Sequence, residues 1–245
     1  MRLGRLLVPL LLLVPLAGAQ LPVVSPCTPH AGAVIDTSCA VIYPGAKALT
    51  PIGQCTLNFV VTDGVELYVG TAGHCVRGVG DRVRVPGVVF GTVVQSAYGG
   101  GRDWAFVRVD PEDRHLVDPT LATWGGPRGA REAMPGEVVV HHGWGASLGQ
   151  VDETRGRAGV VVAPVHRGFI YAGSVDSGDS GSPVMLATGE AAGIAVATIF
   201  IPLPEPARNP VPVTWATSFP DAMADLEAAL GKPVSVVQGR PLVQP

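Results

Sequence analysis

The sequence predicts an all-β protein that ends in a single helix. Glycine and proline are abundant among the 245 residues, at 32 and 23 copies, and this composition favours short strands joined by turns. Runs of β-branched and aromatic residues recur from Thr56 onward, with turn residues between them. At this length, and with 47% hydrophobic residues, the chain can bury a full core within one all-β domain.

The N-terminus has the three regions of a secretory signal peptide. Arg2 and Arg5 precede an apolar run over 6–16, and small residues then offer a cleavage site after Ala19. A membrane anchor is the alternative, but the run is shorter than the roughly 20 apolar residues that span a bilayer. We therefore expect residues 1–19 to be removed, and the mature protein to be secreted and free of the membrane.

The charge balance argues against a nucleic-acid partner. The chain has 17 basic and 20 acidic residues, and cleavage after Ala19 would remove two arginines and leave 15 − 20 = −5. A nucleic-acid-binding protein would show a basic patch or stripe, which this sequence lacks. The sequence has no Cys-x-x-Cys pair and its histidines are scattered, so we expect no metal and no organic cofactor.

The four cysteines lie early in the chain, at Cys27, Cys39, Cys55 and Cys75. An even number in a secreted chain indicates two disulfides, although four cysteines allow three pairings. The simplest pairing is Cys27–Cys39 with Cys55–Cys75, each worth on the order of 3 kcal/mol through the unfolded state. Residues 20–51 are proline-rich, and we expect them to form a surface arm or a short pro-segment rather than a second domain.

Strands are expected in most of the remaining chain, and Asp63-Gly64 is a strong hairpin signal between the first two. The expected strands lie at 56–61, 65–69, 82–94 with a bend at 86–87, 104–109, 137–144, 160–165, 184–187, 192–200 and 213–217. The helix follows, with Ser218 as N-cap, Pro220 in its first turn and Gly231 as its stop. No role is evident for the tail over 232–245.

The segment 176–183 is rich in glycine and carries Ser180 between Gly178 and Gly181. Glycine adopts backbone angles that other residues avoid, and successive backbone N–H groups in such a turn can converge on an anion. An acyl-transfer enzyme needs a nucleophile with donors of that kind. The plain alternative is a surface loop, so the catalytic interpretation requires a base and a group that orients the base.

His74, within Thr71-Ala72-Gly73-His74-Cys75, is the candidate base, although a structural histidine at a strand end is the alternative. Asp103 stands where a loop enters an apolar strand, and a buried carboxylate there would hold the imidazole in one tautomer. The rivals Asp110, Asp113 and Asp118 lie in a segment that looks solvated.

His141 and His142 are adjacent and would point to opposite faces of a strand, so joint metal ligation is not expected. His30, His115 and His166 are also expected to be structural.

The chain order His74, Asp103, Ser180 and the motifs around each residue resemble the chymotrypsin-like (trypsin-type) serine endopeptidases. The sparse disulfides look more like secreted bacterial members of the streptogrisin and alpha-lytic type. The resemblance covers most of 52–231 and implies two six-stranded antiparallel β-barrels followed by a C-terminal helix. The site would lie in the cleft between the barrels.

Carried over by motif, the resemblance makes Ser180 the nucleophile, His74 the general acid and base, and Asp103 the orienting carboxylate. The backbone N–H groups of Gly178 and Ser180 would form the oxyanion hole. The resemblance also implies a substrate pocket with Ser174, six residues before the nucleophile, at its floor and with Asp176, Ala197 and Thr198 in its walls. A serine at the floor argues against a dedicated Arg/Lys pocket, although Asp176 stands close by.

Four departures from the family pattern stand out. Ser182 replaces the usual glycine in a tight turn, and Val196 replaces a serine that usually bonds the catalytic aspartate. No Ile-Val-Gly-Gly-like mature start is present, so Asp179 is expected to pair with an arginine instead of a new N-terminus. The streptogrisin type also carries a long folding pro-region, for which this chain has no room.

The leading hypothesis is a secreted, monomeric serine endopeptidase that acts on polypeptide substrates and is a candidate target for protein inhibitors. A protease-fold binding protein that has lost turnover is the second hypothesis. An esterase with the same triad is the third, since the triad alone does not choose amides over esters.

Overall fold

The computed structural model describes residues 36–145, 155–202 and 211–241. Within these ranges the chain forms fifteen strands, one α-helix and two short 3-10 helices. The strands are β1 Lys47–Leu49, β2 Gln54–Thr56, β3 Val60–Thr62, β4 Leu67–Thr71, β5 Arg82–Val85, β6 Val88–Gly99, β7 Arg102–Val109, β8 Gly129–Ala130, β9 Val138–His142, β10 Gly156–Val165, β11 Gly168–Ala172, β12 Pro183–Leu186, β13 Glu190–Ile201, β14 Val211–Ser218 and β15 Ser235–Val236. The α-helix α1 spans Phe219–Leu230, and the 3-10 helices span Gly73–Cys75 and Pro111–Leu116.

The expected signal peptide, together with Cys27 and His30, lies outside the described residues. No helix in the described ranges is long and apolar enough to cross a bilayer.

The first sheet curls into a barrel because β2 at one end of its strand order and β3 near the other end come from one stretch of chain. The order is β15-β3-β4-β7-β6-β5-β1-β2, with antiparallel pairing throughout. Only three residues separate β2 from β3, yet β2 pairs with β1 and β3 pairs with β4. The chain over 54–62 therefore connects the edge strand β2 to β3, which lies next to the other edge strand, β15.

The second sheet closes into a six-stranded barrel. Its order is β12-β9-β10-β11-β14-β13, and β12 also pairs with β13 to complete the ring. The short β8 adds to β13 in parallel. The predicted all-β architecture of two antiparallel barrels followed by a C-terminal helix is therefore confirmed.

The helix α1 has the capping residues that the sequence predicts. The Asp221 N–H donates to Ser218 Oγ at 3.0 Å, and Gly231 ends the helix with φ 68°. Phe219 at its start packs on Phe59 of the first barrel, with ring centroids 4.8 Å apart. The helix therefore follows the second barrel in sequence, but its residue Phe219 packs into the core of the first barrel.

Two short strands extend the first barrel beyond the segment that the sequence analysis assigned to it. The strand β1 lies within the proline-rich arm over 20–51, and β15 lies within the tail over 232–245. The tail is also held by ion pairs, from Lys232 to Asp63 at 2.5 Å and from Arg240 to Asp118 at 2.7 Å. Both ends of the described chain are therefore structural parts of the first barrel.

Candidate active site

His74 and Asp103 form a two-point contact at one end of the first barrel. Asp103 Oδ2 lies 2.7 Å from His74 Nδ1, and Asp103 Oδ1 accepts the His74 backbone N–H at 2.8 Å. The aspartate is 3% exposed, whereas the His74 side chain is 33% exposed. A buried carboxylate that holds both the ring and its backbone fixes the orientation of the imidazole and leaves Nε2 on the outer side.

The local sequence explains how these residues meet. The turn after β6 contains glycines at positive φ, and β7 then carries Asp103 back toward the 3-10 helix Gly73–Cys75. An added Cβ on Gly73 would lie 2.1 Å from the Ala97 carbonyl oxygen, so only glycine allows this close approach. The rival aspartates lie away from His74. Asp110 pairs with Arg82, Asp118 pairs with Arg240, and Asp113 lies in the 3-10 helix Pro111–Leu116.

A disulfide links Cys55 to Cys75, next to His74, as in the simplest pairing that the sequence suggested. Cys39 is also disulfide-bonded, while its predicted partner Cys27 lies outside the described residues. Cys55, His74 and Cys75 are the only residues of the described chain close enough together to suggest a metal site. The two sulfurs are bonded to each other, so they cannot serve as thiolate ligands.

Ser180 lies on a tight turn that contacts the first barrel. Gly178 and Gly181 have φ values of 104° and 91°, and a Cβ on Gly181 would lie 2.3 Å from the Thr56 carbonyl oxygen. The Ser180 carbonyl accepts the Thr56 N–H at 2.8 Å and lies 3.8 Å from Cys75 Sγ. The candidate nucleophile is thus held beside the residue that follows His74.

In the described chain the structure shows no hydrogen bond between Ser180 Oγ and the His74 imidazole. The hydrogen bond of the His74 ring goes to Asp103. Nucleophile–base bonds in enzymes without substrate are often long, and they shorten when substrate binds.

The turn leaves two backbone donors unused. In the described chain the N–H groups of Asp176, Ser177, Asp179, Gly181 and Ser182 all donate hydrogen bonds, whereas those of Gly178 and Ser180 do not. Thr56 Oγ1 donates to the Gly178 carbonyl at 2.8 Å and so helps to fix that peptide. These two N–H groups are the ones that the sequence assigned to an oxyanion hole, and they are free to bind an anion.

Asp179 is neutralised by an arginine, as the sequence analysis expected. Arg157 on β10 donates to Asp179 Oδ2 at 2.8 Å, and the two side chains are 9% and 0% exposed. The carboxylate also accepts the N–H groups of Gly145 at 2.6 Å and Asp176 at 2.8 Å. A fully buried carboxylate needs such partners, and together they fix the backbone before the nucleophile.

Ser182 is accommodated because residue 143 is glycine. Ser182 is fully buried, and a Cβ on Gly143 would lie 2.3 Å from its Oγ and 2.2 Å from Asp179 Oδ1. The serine that replaces the usual glycine therefore occupies space that a side chain at 143 would otherwise fill.

A cavity of about 300 Å³ opens beside Ser180. Asp176, Ala197 and Thr198, which the sequence placed in a substrate pocket, lie in its wall. Ser174, expected at the floor, is exposed and lies outside this lining, because a count of residues along a chain does not fix where a loop turns. The full lining is Val175, Asp176, Ser177, Asp179, Ser180, Ala195, Val196, Ala197 and Thr198.

Sequence analysis missed the residues of the first barrel that hold the nucleophile turn. Besides Thr56, Asn58 donates from Nδ2 to the Gly181 carbonyl at 3.2 Å, and Thr71 Oγ1 donates to the Thr56 carbonyl at 2.9 Å. All three side chains are buried in the first barrel, and polar residues buried among apolar ones are the signal that would have marked them.

Solved structures similar to this chain include bacterial serine proteases. Thermobifida fusca protease A is 22% identical, with a TM-score of 0.55, and the match covers 82% of this chain and 100% of that one. A glutamic acid-specific serine protease is 20% identical at a TM-score of 0.60, covering 80% and 100%. The alpha-lytic protease homologue N4 is 20% identical at a TM-score of 0.52, covering 79% and 98%. The chain has the chymotrypsin-like protease fold.

This likeness is one of fold rather than of close sequence. No model of a known protein family matches the chain, and no curated protein matches it. The resemblance read from the three motifs is confirmed by these structures, and the chymotrypsin-like fold places the His74 loop on one barrel and the Ser180 turn on the other.

Proposed function

We propose that this chymotrypsin-like protein is a serine endopeptidase whose triad is His74, Asp103 and Ser180. The observation that carries the proposal is the turn at Ser180, where the backbone N–H groups of Gly178 and Ser180 are both free and the serine is held against the His74 loop. A loop serving only as a surface turn would not need a buried ion pair, a disulfide and the first barrel to fix it.

In the acylation step, Ser180 Oγ attacks the carbonyl carbon of a peptide bond while His74 Nε2 takes the hydroxyl proton. Asp103 keeps the ring in the tautomer with a proton on Nδ1 and stabilises the imidazolium that forms. The carbonyl oxygen becomes an oxyanion bound by the N–H groups of Gly178 and Ser180. Each such donor contributes on the order of 3 kcal/mol to the transition state.

The intermediate then collapses to an acyl-enzyme. The C–N bond breaks, the amine leaves with the proton from His74, and the acyl group stays as an ester on Ser180 Oγ. A water molecule, deprotonated by His74, attacks that ester through the same oxyanion hole. The carboxylic acid product leaves and Ser180 regains its proton, so the enzyme is unchanged.

The cavity beside Ser180 is the candidate site for the residue before the cleaved bond. Val175, Ala195, Val196 and Ala197 give it a small apolar wall, and Asp176 adds a carboxylate. The glutamic acid-specific relative uses a histidine triad in substrate binding. No histidine is among the described residues that line this cavity, so we expect no preference for glutamate of that kind.

The mature enzyme is proposed to be secreted, after cleavage of a signal peptide over 1–19, and to act as a monomer on polypeptides. The disulfide at Cys55–Cys75 supports an oxidising compartment. The intact mass of the protein from the culture medium tests the cleavage site. Sedimentation tests the monomeric state.

The catalytic proposal is tested by labelling with a serine-reactive fluorophosphonate, followed by intact mass. One adduct on the wild type and none on Ser180→Ala is the expected result. Gly129→Ala is a matched control, because an added Cβ there meets nothing within 4 Å. A folded wild type that takes no adduct between pH 6 and pH 9 would contradict the proposal and favour a binding protein.

The choice of bond is tested with matched peptide and ester substrates that share one acyl group. An endopeptidase cleaves internal peptide bonds in a denatured protein as well as the ester. Cleavage of the ester alone would identify an esterase instead.

A further inference from the structure

His141 is buried behind the nucleophile turn, and the proposed reaction does not use it. It lies on β9, opposite Arg157 of β10 and Val184 of β12, and is 0% exposed. Its neighbour His142 points to the other face of the strand, where its ring packs on Gly45 and bonds Thr123 at 2.9 Å. The adjacent histidines therefore contact different parts of the protein.

The contacts of His141 determine its tautomer. Arg157 Nη1 lies 3.4 Å from His141 Nε2, and because a guanidinium only donates, Nε2 must be the unprotonated nitrogen. The proton of the neutral ring is then on Nδ1, which lies 3.2 Å from the Tyr171 hydroxyl. Burial, with the positive charge of Arg157, lowers the pKa of His141 to about 3, so the ring is neutral.

Through Nε2, the His141 ring is connected to the nucleophile turn. The Arg157 nitrogen that faces His141 is the same one that donates to Asp179 Oδ2 at 2.8 Å. Asp179 in turn accepts the N–H of Asp176, three residues before it, and directly precedes Ser180. The position of the guanidinium therefore sets the position of the carboxylate that fixes the oxyanion turn.

Through Nδ1, the His141 ring is connected to the segment just before the wall of the substrate cavity. Tyr171 on β11 lies opposite Thr214 of β14, whose Oγ1 donates to the Gly173 carbonyl at 2.7 Å. The Tyr171 ring also packs on Gly173, where an added Cβ would lie 2.6 Å from it. These contacts hold the backbone at Gly173, two residues before Val175 in the cavity wall.

We propose that His141 is a positioning residue that couples the wall of the substrate cavity to the Arg157–Asp179 pair behind the oxyanion hole. This inference rests on the proposed function, because its kinetic effect requires an active enzyme. Its geometric basis is the imidazole ring, whose Nε2 faces Arg157 and whose Nδ1 faces Tyr171, the residue that packs on Gly173 just before the cavity wall. His141 touches no reacting atom and acts through the donors that it places.

The kinetic test compares His141→Phe with His142→Phe, since both remove a buried imidazole from neighbouring positions on one strand. For His141→Phe we expect kcat and kcat/KM for a peptide substrate to fall together, by about 10- to 100-fold. This is less than the loss of a whole oxyanion donor, because the donors are displaced and not removed. His142→Phe should change kcat by less than about 3-fold. Equal effects of the two changes would overturn the proposal.

Rescue and coupling separate positioning from general stability. His141→Gln keeps an acceptor for Arg157 and a donor for the Tyr171 hydroxyl, so it should recover most of the lost kcat. In an Arg157→Met background, His141→Phe should lower kcat by less than about 3-fold further, because the contact it removes is already gone. Full additivity of the two changes, or no recovery with glutamine, would overturn the coupling.

A third readout does not depend on activity or on any variant. In long-range 1H–15N spectra of the wild type at pH 7, the His141 ring should show a proton on Nδ1 and none on Nε2. The opposite tautomer, or a charged ring, would overturn the proposal even in a protein without turnover. An inert wild type with the expected tautomer would contradict the proposed function alone.

Discussion

Replacing Arg157 by methionine should destabilise the protein much more than replacing an arginine of a surface ion pair. Methionine keeps much of the side-chain volume but leaves the Asp179 carboxylate buried without a cation. Asp179 is 0% exposed, so water cannot replace the lost partner. Two backbone N–H groups, from Gly145 and Asp176, would remain as its only described donors.

The expected loss is about 3–5 kcal/mol in the free energy of unfolding, the usual cost of removing one partner of a buried pair. Whole domains are stable by about 5–15 kcal/mol, so the loss is a large fraction of the total. At about 2–4 °C per kcal/mol for a protein of this size, Tm should fall by roughly 6–20 °C.

The assay is denaturant unfolding at 25 °C with fluorophosphonate labelling of the same samples. Arg77→Met is the control, because Arg77 is 70% exposed and its pair with Asp81 should contribute less than about 1 kcal/mol. The double variant Arg157→Met/Asp179→Asn removes both charges and should regain part of the stability. It should not regain the labelling rate, since the turn has lost its anchor.

A loss in Arg157→Met no larger than in Arg77→Met would refute the reasoning. It would mean that Asp179 is solvated or neutral in the native protein. A double variant as unstable as Arg157→Met would show that packing, and not charge, causes the loss.

Three further predictions concern the same region. Asp103→Asn should leave the fold intact and lower kcat by about 10⁴-fold, the loss that this change causes in a trypsin-type enzyme; a loss under about 10-fold would remove Asp103 from the triad. Gly143→Ala should cost about 1–3 kcal/mol in denaturant unfolding and slow labelling, because its Cβ meets Ser182 and Asp179, whereas Gly129→Ala should do neither. The pKa of His141 is lowered from 6.5 to about 3 by folding, so its contribution is fully present above pH 6.5 and is lost as the pH falls toward 3. Unfolding at pH 7, 5 and 4 should therefore show the wild type losing more stability than His141→Gln, by about 1.4 kcal/mol per pH unit below pH 6.5, and parallel losses would refute this.

Local patterns in the sequence were enough to predict the elements that depend on local chemistry. The helix α1 begins after Ser218 and ends at Gly231, because capping is decided within a few residues. The strands β3 and β4 flank the predicted Asp63-Gly64 turn for the same reason. His74 and Asp103, 29 residues apart in sequence, could be matched because the motif around each was readable by itself.

Features that depend on distant partners were not predictable. The strands β1 and β15 have three and two residues, and each exists only because another part of the chain pairs with it. An arginine was expected opposite Asp179, but nothing near Arg157 indicates that it is the one. Ser174 was placed by counting from the nucleophile, and a count cannot show whether a side chain faces a cavity or solvent.

The tail strand β15 affects the order in which the protein can complete its fold. It pairs with β3 near the start of the first barrel, although about 170 residues of chain separate them. During synthesis from the N-terminus, the first barrel therefore lacks an edge strand and its Lys232 and Arg240 ion pairs until residues 232–240 have been made. Contacts between such distant residues form late, because the entropy of closing a long loop opposes them. The barrel that carries His74 and Asp103 is therefore the first to be synthesised in part, but the last to gain all of its strands.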